Sequence, residues 1–137
     1  MVSEQEGDRS HGEFGLRDFL GMDMEQVEPG ISIARLEAGA AHLNPHGTVH
    51  GAVLFTMVDT AMGGATMSVL DEGRICASID VHLRFLKPVF DGTLEATAEV
   101  VRAGKRVVHL EARVRDGEGE TVAMATGAFA VLVLAAE

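Results

Sequence analysis

The sequence predicts an α+β domain in which one antiparallel sheet wraps around a single long central helix. Residues 52–70 form an apolar run of helix length, and because the run is apolar on every side, a helix there must be enclosed. Beyond residue 74, four segments alternate apolar and polar residues with a period of two, and tight turns join most of them. Short turns make neighbouring strands antiparallel. The helix is the one large apolar element that can cover the apolar face of such a sheet.

Shorter elements precede the long helix. Apolar residues recur at helical spacing in residues 14–22 and predict a short amphipathic helix, and alternation in residues 31–36 predicts a strand. Residues 1–12 are polar and predict a flexible N-terminus, which leaves residues 13–137 as a single domain. The chain has 137 residues, 47% of them hydrophobic, which suits one compact core.

The segments after the long helix are predicted to be strands. These are residues 75–88, 93–101, 107–116 and 121–134. In the first of them, the odd-numbered positions from Ile75 to Phe85 are apolar and predict one covered face, which places Ser78 on the opposite, polar face. The last is apolar on both faces and is therefore expected to be covered on both sides.

Charge and cysteine content narrow the function classes. The formal net charge is −10 at pH 7, which argues against general affinity for nucleic acid. Cys76 is the only cysteine, so we expect no intrachain disulfide and a reducing, cytoplasmic location. The run 52–70 also has the length of a membrane span, but the carboxylate of Asp59 near its centre would be costly in lipid. We therefore expect neither a nucleic-acid nor a membrane partner.

Three histidines, His42, His46 and His50, are spaced four residues apart before the long helix. On a helix they would share one face, but Pro45 and Gly47 lie between them and are typical of a turn. No acidic or thiol cluster accompanies them, so no metal or other cofactor is expected. Backbone hydrogen bonding is the simpler interpretation for His42 and His46.

Two positions of the long helix indicate chemistry. The amides at a helix N-terminus have no intrahelical partners, so the N–H of Gly51 could stabilise an oxygen that gains negative charge, although a glycine needed only for the turn is an equal alternative. Asp59 is the sole charge in the apolar run. Burying an unpartnered carboxylate is costly, so it either forms an internal ion pair or is a reactive group facing a cleft. We favour the second interpretation.

Two segments carry a family resemblance. "NPHGTVHGAVLFTMVDTAMGGA" (residues 44–65) followed by "ASIDVHLRFLKPV" (residues 77–89) resembles the hotdog-fold acyl-CoA thioesterases, in particular the branch similar to phenylacetyl-CoA and 4-hydroxybenzoyl-CoA thioesterases. The likeness runs from about residue 30 to residue 134. It implies a hotdog fold and hydrolysis of an acyl- or aryl-acyl-CoA thioester to a free acid and CoA, with no cofactor or metal.

The resemblance also implies site residues. Asp59 would be the nucleophile or general base, and the amide of Gly51 would be the oxyanion donor. Asn44 and Ser78 would orient the carboxylate, the water or the thioester. One departure is Ala52, where many members have a second glycine; its methyl group would narrow the cleft beside the acyl group.

The spacing of Gly51 and Asp59 implies a second chain. Eight residues of helix separate them by ~12 Å at 1.5 Å per residue. A nucleophile must come within about 3–3.5 Å of the thioester carbon while the oxyanion donor lies about 3 Å from its oxygen. One helix cannot do both, so we expect a homodimer with two shared sites. The family resemblance adds a dimer of dimers, a homotetramer.

Coenzyme A carries phosphates, so local positive charge is expected at its binding site. The candidates are Arg84, Lys87, Arg102, Lys105 and Arg106, with Gly104 at the same predicted turn as the last two. An ordinary charged hairpin tip is an equal alternative.

Two other functions compete with hydrolysis. A hotdog dehydratase acting on hydroxyacyl thioesters would use His50 as its catalytic group. A non-catalytic acyl-CoA binding module would leave the thioester intact.

Overall fold

The apolar run and the alternating segments form the predicted arrangement of one helix packed on one antiparallel sheet. A computed structural model describes residues 14–134. The predicted flexible segment 1–12 lies outside the described residues. The elements are α1 (Gly15–Leu20), β1 (Asp23–Glu28), β2 (Ile31–Ala38), a 3₁₀ turn (Ala40–His42), α2 (Gly51–Met67), β3 (Arg74–Phe85), β4 (Gly92–Ala103), β5 (Val107–Arg115) and β6 (Thr121–Val133).

The six strands form a single sheet in the order β1-β2-β4-β5-β6-β3, and every neighbouring pair is antiparallel. The α+β class and the long helix packed on the sheet are confirmed. Strand β1 was not predicted, because its sequence DMEQVE lacks apolar alternation and most of it is exposed. It forms because β2 offers it a free edge, where Asp23 lies opposite Arg35.

The core lies between α2 and the central strands. Every second residue is buried in β2, in β4 from Leu94 to Ala98, and in β5. In β4 and β5 the buried residues are the ones that the alternation predicted. Several of these residues are alanines, including Ala34, Ala96 and Ala98, none of which is exposed at all. Small side chains let the backbone of α2 approach the sheet, while Met57 and Met62 of the helix fill the remaining space.

The helix ends at Met67, three residues before the end of the apolar run. The Ser68 hydroxyl donates a hydrogen bond to the Ala65 carbonyl and accepts one from the Gly30 amide, at 2.7 and 2.8 Å. These bonds satisfy groups at the helix end and tie it to the turn between β1 and β2. The position of this helix end therefore depends on hydrogen bonds that the spacing of apolar residues in the sequence does not predict.

A β-bulge in β3 changes which residues face the helix. The pairing with β6 shifts between Ser78 and Asp80, so Ile79 is an extra residue and is 56% exposed. Cys76 before the bulge and Val81 after it both pack against the core. The prediction that all odd positions from 75 to 85 share the covered face is therefore wrong on the N-terminal side of the bulge. Ser78 lies on the helix side instead of the predicted polar side.

The sheet encloses only one side of α2. Val53, Met57 and Ala61 are buried against the sheet, whereas Phe55 and Met67 are 42% and 44% exposed on the other side. The expectation that the helix is enclosed is therefore met on one side only by the described residues of a single chain. Within residues 14–134, no helix has the length and apolar character needed to cross a membrane.

Candidate active site

Asn44 organises the loop that leads into α2. Its Oδ1 accepts the amides of His46 and Thr48, at 2.9 and 3.2 Å, and its Nδ2 donates to the Thr48 hydroxyl at 2.8 Å. Gly47 closes the turn with a φ of +86°, a conformation that favours glycine. Three side-chain hydrogen bonds leave one Nδ2 hydrogen of Asn44 for the contact predicted from the family resemblance.

His42 connects this loop to two helices. Its ring is buried; Nδ1 accepts the Gly39 amide at 2.9 Å, and Nε2 lies 2.8 Å from the Leu20 carbonyl at the end of α1. Its own carbonyl accepts the amide of His50 at 2.8 Å. The backbone-bonded interpretation of His42 is confirmed. In the part of the chain that the structure describes, no three His, Cys, Asp or Glu side chains are placed to hold a metal ion.

His50 caps the N-terminus of α2. Its Nδ1 accepts the Ala52 amide at 2.9 Å, and its carbonyl accepts the Val53 amide at 2.9 Å. Both of these first-turn amides are therefore occupied. The amide of Gly51 has no acceptor among residues 14–134, which makes it the first-turn donor that a substrate oxygen can use.

Close packing explains the glycine at position 51. Its φ is not positive, so the alternative of a glycine required by a turn is wrong. A Cβ built on Gly51 would lie 2.9 Å from Cζ of Phe85, closer than real Cβ contacts. Phe85, at the end of β3, is 57% exposed and was not predicted as a site residue. Its ring packs against the residue that carries the free amide.

Asp59 lies in the middle of α2, on the side that the sheet does not enclose. Its Oδ1 is buried and has no hydrogen-bond partner among the described residues, and no described cation forms an ion pair with it. Burial raises the pKa of this carboxyl above its ordinary value, and interaction with the Ser78 hydroxyl offsets only part of that rise. The ion-pair alternative therefore finds no support, and the carboxylate is available for chemistry.

An apolar cleft opens beside Asp59, between α2 and β3. Gly63 and Met67 of the helix line one side, and Cys76 and Ser78 of the strand line the other. Burial, and secondarily the charge of Asp59, raises the pKa of the Cys76 thiol, which keeps the thiol protonated. Asp59 is therefore the group of this cleft that can act as a base or nucleophile. Sequence reasoning placed Ser78 here through the family resemblance but missed Gly63 and Cys76.

One chain divides the predicted catalytic residues into two groups. Asn44, His50 and Gly51 lie at the N-terminus of α2, while Asp59 and Ser78 lie at its middle. Because Gly51 and Asp59 are on the same uninterrupted helix, their separation is ~12 Å along the axis. Within one chain, the predicted oxyanion donor and the predicted nucleophile are therefore too far apart to act on one carbonyl group.

Residues 46–123 match the family model described as the Thioesterase superfamily. The chain belongs to the thioesterase superfamily. It is 32% identical to the acyl-coenzyme A thioesterase PaaI of Escherichia coli over 109 residues, which cover 79% of this chain and 76% of PaaI. The predicted resemblance to hotdog-fold thioesterases is confirmed, and the likeness to PaaI places the chain in the PaaI-like branch.

Solved structures agree with this thioesterase assignment. The structure of the PaaI protein from the E. coli phenylacetic acid degradation operon superimposes with a TM-score of 0.84 at 27% identity, covering 96% of this chain and 95% of PaaI. A thioesterase of Haemophilus influenzae also superimposes with a TM-score of 0.84, and the match covers 89% of this chain and 85% of the H. influenzae chain. Because the two sequences are only 20% identical, this likeness shows the fold alone. The fold is a hotdog fold, and the chain is a thioester hydrolase.

The predicted CoA-binding residues of this thioesterase differ in whether their charges already form ion pairs within the chain. Lys87 binds Glu120 at 3.1 Å and Asp116 at 3.4 Å, so its charge is already paired. Lys105 and Arg106 are exposed at the β4–β5 turn and have no ion-pair partner within residues 14–134. The turn needs Gly104, because a Cβ there would lie 2.7 Å from the Val107 carbonyl oxygen.

Arg84 is exposed on β3, next to Phe85 in sequence, and forms no ion pair with a described residue. Among the predicted CoA-binding residues, positive charge without an ion pair to a described residue therefore lies in two regions, the β4–β5 turn and the end of β3.

The raised pKa of Asp59 predicts opposite effects of pH on activity and stability. Only the ionised carboxylate is a base or nucleophile, so kcat/KM should fall as the pH drops through the raised pKa. The protonated form fits the folded state better, so the stability it contributes is complete below the unfolded-state pKa and is lost as the pH rises through the folded-state value.

Asp59→Asn should therefore be more stable than the wild type at pH 7, and the two should converge in acid. Thermal unfolding of both proteins across pH measures this. If Asp59→Asn were less stable than the wild type at pH 7, the ionised carboxylate would be shown to stabilise the folded protein.

Proposed function

We propose that this thioesterase hydrolyses acyl-CoA thioesters, including aryl-acyl-CoA, in a site that two copies of the chain share. The observation that carries the proposal is the buried oxygen of Asp59, which has no partner among the described residues and lines an open apolar cleft. Enzymes use such unpartnered, desolvated carboxyls as bases and nucleophiles. The E. coli relative, named an acyl-coenzyme A thioesterase, supports CoA as the thiol half of the substrate.

In the proposed reaction, the amide of Gly51 donates a hydrogen bond to the thioester carbonyl and stabilises the negative charge that develops on it. Asp59 either removes a proton from a water molecule that attacks the carbonyl carbon, or attacks it directly to form an anhydride that water then hydrolyses. In either route the carbon–sulfur bond breaks, CoA leaves as a thiolate, and a proton released from the water converts it to the thiol. Ser78 holds the Asp59 carboxyl in place.

Geometry supports a site that two chains share. The two catalytic groups of one chain are ~12 Å apart, too far to act on one carbonyl. The open side of α2 carries both groups as well as exposed Phe55 and Met67, and β3 beside it is an edge strand with exposed Ile79. Two copies related by a two-fold axis would cover this apolar surface and bring Gly51 of one chain to Asp59 of the other, twice. Assembly of two such dimers into a tetramer stays a prediction, as does the cytoplasmic location.

Lys105 and Arg106 are proposed to contact the CoA phosphates. Replacing both by alanine should raise KM for an acyl-CoA at least ~10-fold with little change in kcat, because the phosphates do not react and are bound equally in the ground and transition states. Steady-state kinetics measure the two constants separately. Lys87→Ala is the matched control, since its charge is already paired with Glu120, and its KM should not change. An unchanged KM in the double variant would show that the turn is an ordinary charged hairpin tip.

The dehydratase alternative requires His50 as a base. In the structure Nδ1 accepts the Ala52 amide, so the neutral ring carries its proton on Nε2 and has no free lone pair. Hydrolysis through Asp59 is therefore the better supported reaction.

A free-thiol release assay tests the proposal directly. Purified protein is incubated with acetyl-, hexanoyl-, decanoyl- and phenylacetyl-CoA, and thiol release is compared with acid release. Stoichiometric release of both is expected for at least one substrate. Intact thioester after long incubation, despite measurable binding, would instead show a non-catalytic acyl-CoA binding module.

A further inference from the structure

Two adjacent glycines, Gly63 and Gly64, lie inside α2, where glycine is less favourable than alanine because it loses more backbone entropy on folding. Neither has a positive φ. The presence of glycine rather than alanine at each position must therefore be explained by contacts outside the helix.

The fold explains Gly64. A Cβ at that position would lie 3.1 Å from Oγ and 3.3 Å from Cβ of Ser32 on β2, which is tighter than ordinary contact. Ser32 is itself buried and bound to Gln26 at 2.6 Å, so it has little freedom to move. Gly64 is the point of close approach between helix and sheet.

The fold does not explain Gly63. Among the residues that the structure describes, a Cβ there would meet nothing closer than the Phe129 ring, at 3.8 Å, which is ordinary van der Waals contact. An alanine would therefore fit within the chain and would favour the helix. Within residues 14–134, nothing therefore requires a glycine at this position, and the space beside it is open.

The position of Gly63 and the residues around it indicate what kind of group could occupy that space. Gly63 lies four residues after Asp59, on the same face of α2 and ~6 Å further along the axis. The residues that line this cleft are Phe14, Met24, Asp59, Thr60, Gly63, Gly64, Met67, Cys76, Ala77, Ser78 and Phe129. Asp59 is the sole charged residue among them, so the cleft offers nothing to a phosphate and suits an apolar chain.

We propose that Gly63 is a specificity-determining residue, which leaves room for an apolar acyl group of about six carbons or more while the thioester carbon is held at Asp59. This inference rests on the proposed function. The ~6 Å between the two residues corresponds to the first few carbons of the acyl chain. An acetyl group ends before it reaches Gly63, whereas a hexanoyl, decanoyl or phenylacetyl group lies over it and contacts the apolar walls.

The test compares the wild type with Gly63→Ala and Gly63→Leu on acetyl-, hexanoyl-, decanoyl- and phenylacetyl-CoA. The wild type should have a higher kcat/KM for the three larger substrates than for acetyl-CoA. Gly63→Leu should lower the ratio of decanoyl to acetyl kcat/KM at least ~10-fold, since a few methylene groups in a hydrophobic pocket are worth this much. Gly63→Ala should lower the ratio less and should raise Tm, because it improves the helix.

Three outcomes overturn the inference. An unchanged ratio in Gly63→Leu means that the acyl group does not pass over Gly63. An equal loss for every substrate means that position 63 affects catalysis and not chain length. Dissociation of the oligomer in Gly63→Ala, seen by light scattering, means that the space receives a side chain of a second copy.

A thioether series separates this inference from the proposed function. Ethyl-CoA and decyl-CoA thioethers cannot be hydrolysed, so their binding by calorimetry does not depend on catalysis. If the wild type hydrolyses no acyl-CoA, the proposed function fails. The inference still stands if Gly63→Leu weakens decyl-CoA binding at least ~10-fold more than ethyl-CoA binding, and it fails if both change equally.

Discussion

Asp59→Asn is expected to reduce kcat for acyl-CoA hydrolysis at least ~100-fold while the protein stays folded and assembled. Asparagine has nearly the same shape as aspartate, and its amide can still contact Ser78, but it cannot accept a proton or attack a carbonyl carbon. Removing a buried charge without a described partner should not harm the fold. Kinetics measure the loss, and circular dichroism and light scattering check fold and assembly.

Asp71→Asn is the matched control, since it makes the same chemical change at an exposed carboxylate beyond the end of α2. It should retain wild-type kcat. Near-normal hydrolysis by Asp59→Asn would remove Asp59 from the mechanism, and loss of activity in both variants would point to the overall charge of the protein instead.

Gly51→Pro is expected to abolish most activity by deleting one N–H group. Because Phe85 occupies the space beside Gly51, the comparison is made in a Phe85→Ala background, between Gly51→Ala, which keeps the amide hydrogen, and Gly51→Pro, which lacks it. Proline is favoured at the first position of a helix, and the extended conformation of His50 (ψ 137°) suits a residue before proline. The proline variant should have a kcat about 10²–10³-fold below that of the alanine variant.

The alanine variant controls for the added Cβ and for the loss of the Phe85 ring. Equal kcat in the two variants would show that the Gly51 amide does not stabilise the transition state. Phe85→Ala alone, compared with the wild type, measures what the ring adds when it packs against Gly51.

Mixing two inactive chains tests whether the site is shared. Asp59→Asn carries an intact Gly51, and the Gly51→Pro/Phe85→Ala chain carries an intact Asp59. In a heterodimer one site combines both intact residues and the other combines both defects, so random pairing of co-expressed chains should restore about a quarter of wild-type activity. No recovery, in a mixture shown to contain heterodimers, would place the whole site within one chain.

Much of the fold could be predicted because an element that is buried on one face has apolar residues at regular intervals in its sequence. Residues 93–101 and 107–116 alternate because one face of their hairpin packs on a helix, and the alanines at positions 96 and 98 are buried as the pattern requires. The start of the long helix at Gly51 was predicted from the residues before it, which include Pro45 and Gly47. Strand β1 was missed because it is an exposed edge strand, and its sequence therefore lacks alternating apolar residues.

The site was predicted in part for a similar reason. A single carboxylate in an apolar run has a cost that sequence alone reveals, so Asp59 could be identified before any contact was known. The contact between Phe85 and Gly51 could not be, because the two residues are 34 positions apart and neither belongs to a pattern that implies the other. The same holds for the place of Cys76 in the cleft.

The sequence by itself determined that a long apolar helix packs on an antiparallel sheet, with a free amide at its start and a lone acid at its middle. These features depend on composition and period, which neighbouring residues carry. Only the tertiary structure decided that the bulge at Ile79 turns Ser78 towards Asp59, and that one side of the helix stays open. A one-residue shift in strand register reverses which side chains face the helix, and no local pattern in β3 records where that shift falls.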